Sequence, residues 1–122
     1  MKLHDARMLS IELKSDHVVA IGFSEENGEI SHLLLERVER MRGFDLREGN
    51  IVLEVTNISG ATPSVPVLRK LFDLSATEVP DYLPVTIAKI EAGELTLVHI
   101  VPSYGCELIA LCGRANIVLR SS

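Results

Sequence analysis

Residues 8–35 constrain the fold more than any other stretch, because they alternate in polarity around two tight-turn signals. Asn27-Gly28 is the stronger signal, since a type I′ hairpin turn needs positive φ at both central residues. As a two-residue loop it pairs Gly22 with Leu33 and Ala20 with Leu35. A second turn at Ser15-Asp16 pairs Leu13 with Val18 and Ile11 with Ala20. Both registers collect Leu9, Ile11, Leu13, Val18, Ala20, Gly22, Leu33 and Leu35 on one face. That agreement predicts a three-stranded antiparallel meander with this face inward. The opposite face holds Ser10, Glu12 and Lys14, but also Val19, Ile21, Phe23 and Leu34, so the middle of the meander is expected to be covered on both sides.

A helix competes for residues 31–42. Ser31 would cap it, Leu34, Leu35, Val38 and Met41 would share a face, and Gly43 would end it. Glu36 and Arg40 would add an i,i+4 pair worth a few tenths of a kcal/mol. The strand is preferred through about Arg37, because the segment 18–24 needs a hairpin partner. A short helical turn at 39–42 would follow it.

Further along, residues 43–50 form a charged turn region and 51–56 alternate as a strand. Ser59-Gly60, Pro63 and Pro66 exclude a ladder over 60–66. Residues 65–75 are the main helix candidate, with Ser64 as cap, Pro66 in the first turn, and a stripe of Val67, Leu68, Leu71, Phe72 and Leu74. Residues 77–84 read as an irregular connection in which Pro80 and Pro84 bracket Asp81-Tyr82-Leu83. Residues 85–100 read as a second hairpin reversed at Ala92-Gly93, pairing Ile90 with Leu95 and Ala88 with Leu97. Pro102 to Gly105 breaks the chain, and 107–111 with 116–120 make a last strand pair around Gly113-Arg114. The expected fold is therefore β-rich α+β, one domain over 1–122, with antiparallel hairpins of about eight strands and one main helix.

A chain of 122 residues can bury a core without metal or disulfide staples. With no Trp and few aromatics, that core must be mainly Leu, Ile and Val. No apolar run approaches the ~20 residues needed to span a bilayer, and Met1-Lys2-Leu3-His4-Asp5 lacks the apolar stretch of a secretory signal. Cys106 and Cys112, in one strand, would sit roughly 20 Å apart, too far for a disulfide. These features predict a reduced, cytoplasmic protein, in which the Asn57-Ile58-Ser59 sequon is a chance match. A net charge of −5 argues against non-specific nucleic-acid binding and suits a basic partner, although it also serves solubility alone.

No catalytic or cofactor motif is present: there is no phosphate loop, dinucleotide fingerprint or Gly-x-Ser-x-Gly elbow. The histidines His4, His17, His32 and His99 show no metal spacing, and none neighbours a cysteine. His4 lies in a polar lead-in expected to be loose, and His17 follows a turn. His32 and His99 fall within strands, where a structural role outweighs a catalytic one. Cys106 and Cys112 read as buried, inert thiols unless a base lies beside them. Glu25-Glu26 with Glu29, and Glu91 with Glu94, flank turns where carboxylates are normally solvated. Asp81-Tyr82, held between prolines, offers an aromatic anchor suited to a binding contact, while Tyr82 and Leu83 could equally cover the core.

The segment His17-Val-Val-Ala-Ile-Gly-Phe-Ser-Glu-Glu-Asn-Gly-Glu-Ile-Ser-His-Leu-Leu-Leu-Glu-Arg37 resembles the opening of small β-rich immunity proteins of bacterial polymorphic toxin systems. Glu48-Gly-Asn-Ile-Val-Leu-Glu-Val-Thr-Asn57 is similar to their following strand. The resemblance covers about a third of the chain, carries no diagnostic side chains, and ends before residue 85. It implies a non-enzymatic protein that neutralises a cognate toxin by occlusion. On this reading Glu25, Glu26, Glu29, Asp81 and Tyr82 face a basic protein partner, with no cofactor, metal, nucleic acid or membrane involved. One alternative is a small-molecule site or enzyme pocket near His99 and Cys106. Another is a homo-oligomer that buries Val19, Ile21, Phe23 and Leu34 against a copy of itself.

Overall fold

The computed structural model describes residues 3–120. In chain order the strands are β1 (Arg7–Lys14), β2 (Val18–Ser24), β3 (Ile30–Glu36), β4 (Arg40–Phe44), β5 (Ile51–Ile58), β6 (Thr96–Tyr104), β7 (Glu107–Cys112) and β8 (Arg114–Arg120). Two helices, α1 (Val65–Leu71) and α2 (Tyr82–Glu91), lie between β5 and β6. All strand pairs are antiparallel, in one sheet of order β4-β7-β6-β5-β1-β2-β3-β8. The two ends of that order are joined through the chain. Only residues 37–39 separate β3 from β4, and Gly113 alone separates β7 from β8. Glu36 pairs with Arg114, and four residues on Arg40 pairs with Leu111. Backbone bonds from Gly113 N–H to Glu36 O (2.9 Å) and from Glu39 N–H to Leu111 O (2.8 Å) carry the ladder across the bend. The β3-β4 run and the β7-β8 run thus form one long bent ribbon that closes the sheet into a barrel of six chain segments.

The barrel interior is filled by side chains. Val19, Ile21, Phe23, Leu33, Leu35, Val55, Val98, Ile100, Leu108 and Ala110 point into one buried cluster. On the outside of β6 and β7, Leu97, Ile109 and Leu111 pack under Leu68 and Leu71 of α1 and Leu83 and Ile90 of α2. β7 is covered on both faces, which is why its sequence reads as nearly continuous apolar residues. The architecture is β-rich α+β, with two helices where the sequence predicts one.

Both hairpin registers differ from expectation by one residue. Ile21 pairs with Leu33 and Val19 with Leu35, while Ile11 pairs with Ile21 and Leu13 with Val19. Each turn spans three residues rather than two. At the first, Glu25 N–H bonds to Glu29 O and Gly28 adopts φ +85°, the arrangement of a type I turn followed by a left-handed residue. At the second, Asp16 and His17 both take positive φ (61° and 60°). The slip leaves Leu33 and Leu35 inside but exchanges the faces of β2. Val19, Ile21 and Phe23 are interior, and Val18, Ala20 and Gly22 turn outward. Apolarity cannot choose between the two sides of this strand, but size can: the bulky residues fill the barrel. β1 keeps Ile11 and Leu13 on the inward face, opposite Ile21 and Val19, but Leu9 falls at a β-bulge between Met8 and Ser10 and is 54% exposed, and Leu13 at the barrel rim is 75% exposed.

The segment predicted as one arm of a second hairpin is helix α2. Leu83, Thr86 and Ile90 are buried at helical spacing, with Ile87 packed beside them. Ala92-Gly93 ends this helix instead of turning a hairpin. Gly93 has φ +81° and donates to Ile90 O, and Glu94 donates to Lys89 O (2.9 Å), which is a Schellman closure. Asp81-Tyr82-Leu83 is therefore a helix entry rather than an irregular loop. α1 is capped as expected, Ser64 Oγ accepting from Val67 N–H (3.4 Å), but ends at Leu71. Strand replaces the helical turn predicted at 39–42. The strands number eight, but 85–90 is lost to α2 and Arg40–Phe44 is gained. β7 and β8 pair with β4 and β3, not with each other, and β6 runs on through Pro102 to Tyr104. The lead-in is anchored from Leu3 onward: Leu3 and Ala6 are buried, and His4 Nδ1 donates to Leu53 O (2.7 Å).

Ser31 is fully buried, and its hydroxyl has no hydrogen-bond partner among the described residues. An orphaned hydroxyl costs about 1–3 kcal/mol. Ser31→Ala is expected to raise the urea unfolding midpoint, whereas Leu33→Ala, on the same strand, should cost roughly 2–5 kcal/mol. Equal losses in both variants would contradict this placement of β3.

Candidate functional site

The basic side chains around α1 are committed to structure. Arg40 Nε donates to Leu71 O (3.0 Å) and Arg42 Nη1 to Lys70 O (2.9 Å), so two arginines of β4 hold carbonyls at the C-terminal end of α1. Their guanidinium groups also lie over Phe72 (5.3 Å) and Phe44 (4.7 Å), and Arg42 pairs with Asp73 (3.3 Å). Arg69 donates to Ser75 O and to Glu78 O. Cations at a helix C-terminus suit the macrodipole, and the arginines fasten the helix layer to the barrel.

Beside this clasp lies a connected polar group of three side chains. Glu107 Oε2 is 2.7 Å from His99 Nε2, and Glu107 Oε1 accepts from Lys70 Nζ, which also lies 4.8 Å from the centre of the Phe44 ring. Burial alone would raise the Glu107 carboxyl; the hydrogen bonds from Lys70 and His99 outweigh it and hold the group below its ordinary 4.5. This is an ion-pair cluster on the outer face of β6 and β7. Cys106 lies on the other face, within the barrel core, so His99 and Cys106 do not share a pocket. Both cysteines are free and buried, and burial raises both thiols, Cys112 to about 11. Neither is a poised nucleophile at neutral pH. Among the described residues, no three His, Cys, Asp or Glu side chains gather to hold a metal, and no helix is long and apolar enough to cross a membrane.

The acidic residues singled out in the sequence occupy two separate places. Glu25, Glu26 and Glu29 form the β2–β3 turn, stiffened by Glu25 N–H to Glu29 O (2.9 Å) and by Asn27 Oδ1 accepting from Glu29 N–H (3.0 Å). His4, Glu25, Glu26 and Asn27 line a shallow pocket of about 250 Å³ there. His4 is raised from its ordinary 6.5, first by the Leu53 carbonyl and then by Asp5, with Glu26 adding to both. Asp81 and Tyr82 instead start α2 in the helix layer, where the Tyr82 ring meets Phe72 edge-on at 5.0 Å. Tyr82 stays half-exposed while Leu83 is buried, which divides the pair between surface and core. The face proposed for self-association is not available, because Val19, Ile21 and Phe23 line the barrel interior.

A third feature escaped the sequence reading. β1 and β5 pair only at Arg7 and Ile51, flanked by bonds from Met8 N–H to Asn50 O (3.0 Å), Val52 N–H to Ala6 O (2.9 Å) and Asp5 N–H to Val52 O (2.8 Å). Among the described residues no strand lies beside 11–14 on that side of β1. A groove of about 730 Å³ opens at this seam, lined by residues 7–11 and 46–50. The signal was present in Leu9 and Leu13, but alternation assigned both to the core and showed neither the bulge at Leu9 nor the missing neighbour beside Leu13.

Comparison with protein-family models, curated proteins and solved structures found no match.

Two measurements check the helix clasp. Arg40→Ala is expected to lower stability by about 1–2 kcal/mol in chemical denaturation, since a charged hydrogen bond and a cation–π contact are lost together. Glu107→Gln should flatten the acid limb of a stability-versus-pH curve. The lowered carboxylate contributes stability that is complete above 4.5 and is lost as pH falls through its folded value. An acid limb unchanged by Glu107→Gln would place acid sensitivity elsewhere.

Proposed function

We propose that this protein is a non-catalytic binding module that meets a basic protein partner at the acidic end of its barrel. The observation that carries the reading is an asymmetry of charge. Arg40 and Arg42 spend their hydrogen bonds and charge on α1 carbonyls and Asp73, Arg69 on the carbonyls of Ser75 and Glu78, and Lys70 on Glu107. Glu25, Glu26 and Glu29 form no ion pair among the described residues and stand together on a stiff turn beside His4, itself paired with Asp5. In a chain of net charge −5, three carboxylates grouped on one turn offer a basic partner a local negative field. The filled barrel and the separation of His99 from Cys106 favour binding over chemistry. Occlusion of a basic toxin domain, as the resemblance to immunity proteins implies, is the form of binding this surface suits. Asp81 and Tyr82 belong to a second patch on the helix layer and are not needed for the first contact.

Affinity capture from host lysate at low and high salt, followed by native mass spectrometry, tests this reading. A stoichiometric basic protein is expected, released by salt. Reversal of Glu25, Glu26 and Glu29 to Lys should slow its association about tenfold or more and remove most of the salt dependence. Capture that is indifferent to both salt and the triple reversal would remove the acidic turn from the mechanism.

A further inference from the structure

We infer that the open edge of β1 pairs with β1 of a second copy of this chain, antiparallel about a two-fold axis at Leu13. The available edge is short and well defined. Asn50 already occupies the position beside Met8, and Leu9 is taken up in the bulge, so residues 11–14 remain open. Lys14 and Val18 close the three-residue turn. Alternation from that closing pair turns the N–H and C=O of Leu13 and Ile11 away from β2, toward the open side. An exposed edge of this kind is a template for another strand.

Charge selects the register. A two-fold axis at Glu12 would set Glu12 against its own copy, and like charges directly opposite are unfavourable. An axis at Ile11 would require the partner to lie beside Met8, where Asn50 stands. With the axis at Leu13, Glu12 faces Lys14 of the copy twice, and the two leucines, each 75% exposed in the single chain, meet on the axis. The same register brings the β1–β2 turn of the copy, carrying Asp16, to the groove flanked by Arg7 and Arg47. The pairing buries the largest exposed leucine of β1, satisfies outward backbone groups, and leaves Glu25, Glu26 and Glu29 at the other end of the barrel. Two acidic ends would then be presented by one assembly.

The test is sedimentation velocity of the full chain over a wide concentration range, at low and moderate salt. A dimer that dissociates on dilution is expected. Lys14→Glu should weaken it about tenfold, because carboxylates then face carboxylates in both symmetry-related pairs. Glu12→Lys should do the same, and the double exchange should recover most of the affinity. Leu13→Pro should abolish association with little change in unfolding midpoint, since Pro is tolerated on an edge strand whose N–H faces outward. A monomer at all concentrations, or a dimer indifferent to the charge exchange, would overturn the proposal. Should Leu13→Pro fail to fold, the exchange series decides alone. Loss of the dimer with basic-partner capture intact would leave the acidic-end reading standing.

Discussion

The bent ribbon formed by β3-β4 and β7-β8 is the constraint on which the rest of this structure depends. A sheet of eight antiparallel strands would otherwise expose two edges and one long apolar face. Here the outermost strands in the order are continuations of inner ones, and the bend at residues 37–39 and Gly113 folds the sheet onto itself. Arg37 takes φ +52° at this corner, and Gly113 donates to both Glu36 O and Arg37 O. Closure creates the interior that Val19, Ile21, Phe23, Leu33 and Leu35 fill. It also fixes what lies outside, since every residue turned away from that interior must find a helix, a charge or water.

Half of the outside is settled by the helix layer. β6 and β7 present Leu97, Ile109 and Leu111, which need cover, and α1 and α2 supply it. The helices are held by more than apolar contact. Arg40 and Arg42 reach from β4 to the carbonyls of Leu71 and Lys70, so the strand that closes the barrel also anchors the layer packed on it. Arg40, Arg42 and Lys70 are thereby committed to the helix layer, while Glu25, Glu26 and Glu29 form no ion pair among the described residues.

Much of this was legible in the sequence, and the failures have distinct physical causes. β1, β2, β3, β5 and α1 follow from alternation, a turn dipeptide and a Ser cap. The registers failed because both turns hold three residues, and because β2 is apolar on both sides, so that only side-chain volume separates in from out. α2 failed because Val85, Thr86 and Ile87 favour strand locally, while Leu83, Thr86, Ile87 and Ile90 carry a helical period that wins through burial on β6 and β7. The pairing of Glu107 with Lys70 joins residues 37 apart and left no local trace. The acidic turn was legible as a cluster; its place beside His4 needed the fold. The open edge of β1 was hidden because alternation correctly puts Leu13 on the face of Leu33 and Leu35 but cannot show that no strand lies beside residues 11–14.

The closing ribbon has a consequence for the order in which the chain can assemble. Hairpins β1-β2 and β2-β3 join neighbours in sequence and can form early, as short loops close at little entropic cost. β3 and β4, by contrast, find their outer partners only at residues 107–120, 63 to 90 positions later. Until those residues arrive, the apolar sides of Ile21, Phe23, Leu33 and Leu35 face water on an unclosed sheet. Long-range pairing of this kind slows folding, and it makes the final strands the step that converts a sticky meander into a sealed barrel. A newly synthesised chain therefore spends most of its elongation with its best-packed future core still uncovered.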